Sequence, residues 1–188
     1  MAKLLEGRYA AEIDGDFVVF LIGMRINSLL AVHKWGPVAV AMPGMISELK
    51  KNPALGLLGV RAFLSGRTIM NVQYWRSFEH LHAYAHARDK AHLPAWAAFN
   101  RAAQNNAAVG VFHESYLVPA GSFECVYVNM PPTGLGEASR TVPALGRMNS
   151  ARERLRQPAE DSGSPELQPA ASSPGTSTQP APPPTHGE

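Results

Sequence analysis

The sequence predicts an α+β domain of split βαββαβ order with an extra terminal strand, and three observations carry that prediction. Segments of strand and helix type follow one another as strand, helix, strand, strand, helix, strand. The clearest strand segments are apolar at both parities, so both faces of their sheet need cover. Composition then changes near residue 150. Of 188 residues, 45% are hydrophobic and 17% charged, enough for one core. Residues 151–188 hold 8 of the 16 prolines and no aromatic, Ile, Val, Met or Cys side chain, so they cannot offset the entropy of ordering themselves. They are expected to be a disordered tail, rich in Pro, Ser and Ala, behind a domain of residues 1–150.

Residues 17–26 are rich in β-branched and aromatic side chains and are bounded by Asp14-Gly15-Asp16 and Asn27-Ser28, which predicts a strand. A short strand over 8–13 precedes it. Residues 37–51 place Val38, Met42, Met45, Ile46 and Leu49 at roughly helical spacing, with Pro43-Gly44 expected to kink or divide the helix. Residues 57–64 and 67–77 read as strands joined through Ser65-Gly66, hence antiparallel neighbours. Helices are expected over 78–88 and 92–104, with Asp89 as a cap and Pro94 in a first turn. Strands over 108–118 and 122–130 flank Pro119-Ala120-Gly121, and Pro131-Pro132 ends pairing. This order is the ferredoxin-like arrangement, one sheet with both helices on one face. The opposite apolar face is then expected to be covered by a second copy across a two-fold axis, a homodimer.

Several function classes are excluded or weakened. Outside the tail the charge balance is +4 with no Lys/Arg run longer than Lys50-Lys51, which is no electrostatic footprint for nucleic acid. The single cysteine, Cys125, rules out an internal disulfide and a cysteine cage and fits a reducing cytoplasm. The opening Met-Ala-Lys-Leu-Leu-Glu-Gly lacks the apolar stretch of a secretory signal, so none is expected, and the run from Phe17 to Met24 is far short of the ~20 residues of a membrane span. Nucleotide loops and a Gly-x-Ser-x-Gly elbow are likewise absent. A cytoplasmic protein without nucleic-acid or membrane partners is the expectation.

Reactive side chains concentrate between Gln73 and Tyr84, and five of the seven histidines lie between 80 and 113. On a helix Glu79, His82 and His86 share a face. A metal site on them lacks any specific ligand spacing, and histidines on a solvated face are the simpler account. In the strand over 108–118, His113 shares its parity with Val109, Val111 and Leu117, so it is expected to be buried. A buried neutral imidazole is the leading candidate base, although a hydrogen-bonded core histidine accounts for the same pattern. Tyr74 and Arg76 share the opposite strand face from Trp75 and Ser77. Arg76 and Tyr74 are candidate anion stabilisers in a pocket walled by Trp75 and Phe78; packing for the tryptophan and an ion pair of Arg76 with Glu79 are the competing readings. Substrate contacts are expected from Trp75, Phe78, Glu79, His82, Trp96 and Tyr116. No Cys-x-x-Cys-His haem attachment is present, but noncovalent haem on one histidine stays open.

Three stretches also carry a resemblance: Ser65-Gly66-Arg67-Thr68 running into 73–81, with Gln73, Tyr74, Trp75 and Arg76; His92, Trp96, Phe99 and Asn100; and 110–116 followed by 123–130. Together with Met42-Pro43 and Leu57-Leu58-Gly59, they resemble the monooxygenase-like family of dimeric α/β-barrel proteins related to the polyketide monooxygenase of fumagillin biosynthesis, over about residues 5–136. The resemblance implies a protomer that dimerises through its sheet. It also implies oxygen chemistry on an aromatic or polyketide-like molecule without flavin or metal, the substrate carbanion donating electrons to dioxygen. His113 as base, with Arg76 and Tyr74 as anion stabilisers, is our own placement of those roles. A haem-binding dehydratase or haem-degrading protein, and a ligand-binding dimer without chemistry, are the alternatives.

Overall fold

The computed structural model describes residues 3–87 and 107–155. Strands β1 Leu5–Glu12 and β2 Phe17–Ile26 are followed by helix α1 Val32–Lys51, the hairpin β3 Leu57–Ser65 and β4 Thr68–Trp75, and helix α2 Phe78–His86. Strands β5 Val109–Val118 and β6 Tyr127–Met130, the short helix α3 Leu135–Ala138, strand β7 Arg140–Pro143 and helix α4 Ala151–Arg154 complete the described chain. The expected helix over 92–104, with Asp89, Pro94 and Trp96, lies outside the described residues, as do residues 156–188.

Four strands form an antiparallel sheet in the order β3-β4-β2-β5. This is the ferredoxin-like order, and it supports the α+β fold of dimeric α/β-barrel protomers. The β3–β4 turn falls at Gly66-Arg67, one residue beyond the expected Ser65-Gly66, because Ser65 pairs with Thr68. Gly66 has φ of 56°, the positive first position that a two-residue hairpin turn needs. Helices α1 and α2 cover one face: Leu49, Leu81 and Tyr84 pack with Val18 and Trp75, and Val38 packs with Met24, Ile26 and Val109.

Helix α1 departs from expectation. It starts at Val32, before Pro37, and continues through Pro43-Gly44 without division. Each internal proline removes one backbone donor, but the apolar stripe through Val38 and Leu49 is buried on the sheet. Tertiary packing sustains a helix that propensity alone would interrupt.

The second departure concerns the sheet face opposite the helices. Strands β6, β1 and β7 form a separate three-stranded sheet in that order. With α3 it covers one end of this face, where Phe17, Ala11 and Leu135 are buried against Val19, Tyr74, Val118 and Tyr127. The chain itself therefore supplies part of the cover expected from a second copy. The strand expected over 122–130 shortens to Tyr127–Met130 and pairs with β1. Residues 119–126 instead cross between the sheets, Phe123 stacking edge-on against Phe17 at 5.3 Å and the Cys125 sulfur accepting the Ala11 N–H at 3.2 Å. Arg61 ties β3 to α3 through Glu137 at 3.2 Å. A Cβ at Gly59 would stand 2.6 Å from that of Ala138, so only glycine permits this approach.

A short helix also follows residue 150. Ser150 and Glu153 form a capping box that starts α4. The Arg154 side chain is 5% exposed and bonds Glu124 and the carbonyls of Met148 and Asn149. This desolvated, paired guanidinium fastens α4 to Glu124 and to the Met148 and Asn149 carbonyls. Arg154→Ala leaves the Glu124 carboxylate without that partner, and we expect a loss of about 2 kcal/mol, read as a lower urea midpoint; an unchanged midpoint would show α4 to be incidental.

Candidate functional site

Between α1, α2 and the four-stranded sheet lies a cavity of about 70 Å³. Its floor is Phe20 and Ile22 of β2 with Gln73 and Trp75 of β4; Met42, Met45, Ile46 and Leu49 of α1 and Leu81, Tyr84 and Ala85 of α2 form its roof. The helical spacing of the α1 residues and the strand parity of Ile69, Asn71, Gln73 and Trp75 aim these side chains at the space. Trp75 is 1% exposed, and its indole N–H donates to Gln73 Oε1 at 2.9 Å. Gln73 is thus a buried carboxamide in an otherwise apolar lining, with N–H donors as well as an acceptor. Beside the cavity, a cleft of about 580 Å³ runs between α1 and the β3–β4 hairpin, lined by Met42, Ile46, Lys50, Lys51 and Asn71 among others.

Of the expected site residues that are described, Trp75 alone lines the cavity; Trp96 lies outside the described residues. Tyr74 lies on the opposite sheet face, packed with the β6-β1-β7 sheet, so the pocket expected to combine Tyr74 with Trp75 does not form. Burial, a nearby Cys125 and an N–H bond from Leu135 act on the Tyr74 hydroxyl, and together they raise its pKa. Tyr127 is raised by burial too, while it accepts the Gly136 N–H at 2.9 Å. Both phenols hold the start of α3. Arg76 is exposed at the end of β4, where its backbone N–H bonds the Gly56 carbonyl at 2.9 Å.

On α2 the inward side is Leu81 and Tyr84, so Phe78, Glu79 and His82 are exposed. The Ser77 hydroxyl caps this helix, accepting the His80 N–H at 3.4 Å. A hydrogen bond with the Ser77 side chain is also the main cause that lowers the Glu79 pKa. His82 and His86 do share a face, their rings stacked at 4.0 Å, but no cluster of three metal-ligating side chains occurs among the described residues. Tyr116 is 51% exposed and donates to Glu114, whose carboxylate raises the phenol's pKa.

His113 keeps its expected parity and loses its expected burial. It pairs with Ile22 across β2–β5, and its ring lies 5.9 Å from that of Phe20. It therefore adjoins two residues of the cavity floor, yet its side is exposed. Alternation along a strand sets which face a residue joins but not how far the covering helices reach. Asn71 and Gln73, both 4% exposed, were missed. Their signal was two amides on the same parity as Ile69 and Trp75, polar groups at core positions.

The sequence profile of the Monooxygenase af470-like family matches residues 17–135, more than half of the chain. The chain belongs to that family. The matched region includes all of the cavity lining, so the site lies within what defines this family member. Monooxygenase af470 of Aspergillus fumigatus is 28% identical over 156 residues, which cover 72% of this chain and 55% of that protein. The chain thus spans about half the length of the curated relative it matches. Two structures of aldoxime dehydratase, one in complex with butyraldoxime, superpose at TM-scores of 0.55 and 0.51 with 18% identity. They cover 70% and 79% of this chain and 41% and 43% of theirs, a likeness of fold alone. No helix among the described residues is long and apolar enough to cross a membrane.

Proposed function

We propose that this af470-like family member is a monooxygenase-like oxidoreductase that binds an apolar, conjugated small molecule beneath α1 and α2 and oxidises it with dioxygen, without flavin or metal. The observation that carries this reading is the mostly apolar cavity on the helix side of the sheet together with the cleft it borders at Met42 and Ile46. Apolar walls with one or two placed polar groups suit an aromatic or polyketide-like ligand. In the proposed reaction His113, beside Phe20 and Ile22, removes a proton from an activated CH₂ group. The resulting carbanion reduces dioxygen; one oxygen atom ends in the product carbonyl and the other leaves as water, so CH₂ and O₂ become C=O and H₂O. Gln73 is better placed than Arg76 or Tyr74 to donate hydrogen bonds to the anion.

A homodimer and a cytoplasmic setting belong to the same reading. Leu21, Met70, Val72 and Phe112 lie beyond the reach of the β6-β1-β7 sheet and are half-buried, and Phe63 is 49% exposed. A second copy would cover this apolar face. Noncovalent haem is the second reading: no described histidine lines the cavity or the cleft, and His113, beside Phe20 and Ile22, is the described residue that would hold it.

The test is oxygen uptake by the purified protein across phenols, quinols and polyenes, with an absorption spectrum before and after haem addition. Uptake with at least one substrate and no porphyrin band supports the proposal. Background uptake throughout would leave a ligand-binding module, and a porphyrin band would bring back haem chemistry.

A further inference from the structure

Asn71 sits in the middle of β4 with 4% of its surface exposed, and its Oδ1 is buried without a hydrogen-bond partner among the described residues. A buried carbonyl oxygen without a donor is costly, and native proteins rarely leave one so. Its surroundings explain what could satisfy it. Asn71 lines the cleft of about 580 Å³, whereas Gln73, two residues along the same strand face, lines the smaller cavity. Met42 and Ile46 line both spaces and stand at their common border. The cavity of about 70 Å³ is by itself below the ~300–1,000 Å³ of a small-molecule pocket. Cavity and cleft together are not, and Met42 is the unbranched, flexible side chain that can move to join them.

We propose that Asn71 is the specificity-determining residue of the binding site: its Oδ1 accepts a hydrogen bond from a hydroxyl or N–H on the ligand, whose apolar part passes Met42 into the cavity above Trp75. The proposal deepens the reading of a small-molecule site beneath α1 and rests on it. The ligand class is an apolar, aromatic-sized molecule carrying one hydrogen-bond donor. A ligand of the same shape that lacks the donor leaves Oδ1 unsatisfied and binds more weakly.

Two probes of similar shape test this, 2-naphthol, which has a donor, and 2-methoxynaphthalene, which has only an acceptor. Binding is followed by their fluorescence with the full chain and with Asn71→Leu. We expect the naphthol to bind the wild-type protein about tenfold more tightly, and the two probes to bind the variant equally. Melting of the ligand-free variant should occur at a higher temperature than the wild type, since an orphaned acceptor has been replaced by an apolar group of similar size. Equal binding of both probes to the wild type would overturn the role of Asn71 and leave the cavity reading standing. Binding of neither would overturn the cavity reading together with this one. A preference that survives in the variant, or a lower melting temperature, would make Asn71 a structural residue; the wild-type comparison decides the matter even if the variant does not fold.

Discussion

Replacing His113 by alanine is expected to lower substrate-dependent oxygen uptake by about 10²–10⁴-fold, the usual contribution of a positioned general base. Strand β5 pairs His113 with Ile22 and brings its ring to 5.9 Å from Phe20, the geometry on which the proposed role rests. Both neighbours line the cavity, so a proton on a bound ligand at that wall is within reach of a small adjustment. Because the residue is exposed, its removal leaves no core void, and stability should change by no more than about 0.5 kcal/mol. A large loss of turnover with an unchanged melting temperature therefore identifies chemistry. Turnover within a factor of two of wild type would take the histidine out of the mechanism.

Trp75→Ala acts at the other end of the same site and on the fold itself. The indole is 1% exposed, belongs to the cluster of Val18, Leu49, Leu81 and Tyr84, and lies 5.8 Å from the Tyr84 ring. Its loss removes a large buried surface and leaves a void that the sheet cannot close, at a cost of about 3–5 kcal/mol. The change also strips Gln73 Oε1 of its donor at 2.9 Å, which adds a desolvation cost. Urea unfolding should show a midpoint drop of that size, and affinity for apolar probes should fall as the cavity loses its rigid wall. Trp75→Phe separates the two contributions, since it keeps the apolar ring and removes the donor. A cost below about 1 kcal/mol for the alanine variant would mean that the helices settle onto the sheet without the indole.

The candidate site was legible in part. Parity along β4 correctly set Trp75 apart from Tyr74, but proximity in sequence suggested one pocket where the sheet makes two environments. Tyr74 is occupied with the start of α3, a partner more than fifty residues away that no local pattern reveals. On α2, the spacing of Glu79, His82 and His86 identified a shared face, confirmed by the stacked imidazoles. That face turns outward because Leu81 and Tyr84 are the ones buried against Trp75 and Val18. Chemical richness drew attention to the solvated side of the helix, and the plainer side lines the cavity.

What the sequence by itself determined is a part of the elements and their sidedness: Phe17–Ile26 as a strand, the β3–β4 hairpin to within one residue, the apolar stripe of α1, and a sheet with two greasy faces. These follow from short-range periodicity and turn chemistry, which act within a few residues. Only the tertiary structure decided that α1 survives two prolines, that β6, β1 and β7 fold back over the sheet, and that Asn71 and Gln73 lie beneath α1 while His113 stays open. Those outcomes depend on which distant surfaces meet, because burial is a property of the assembled faces and not of any one segment.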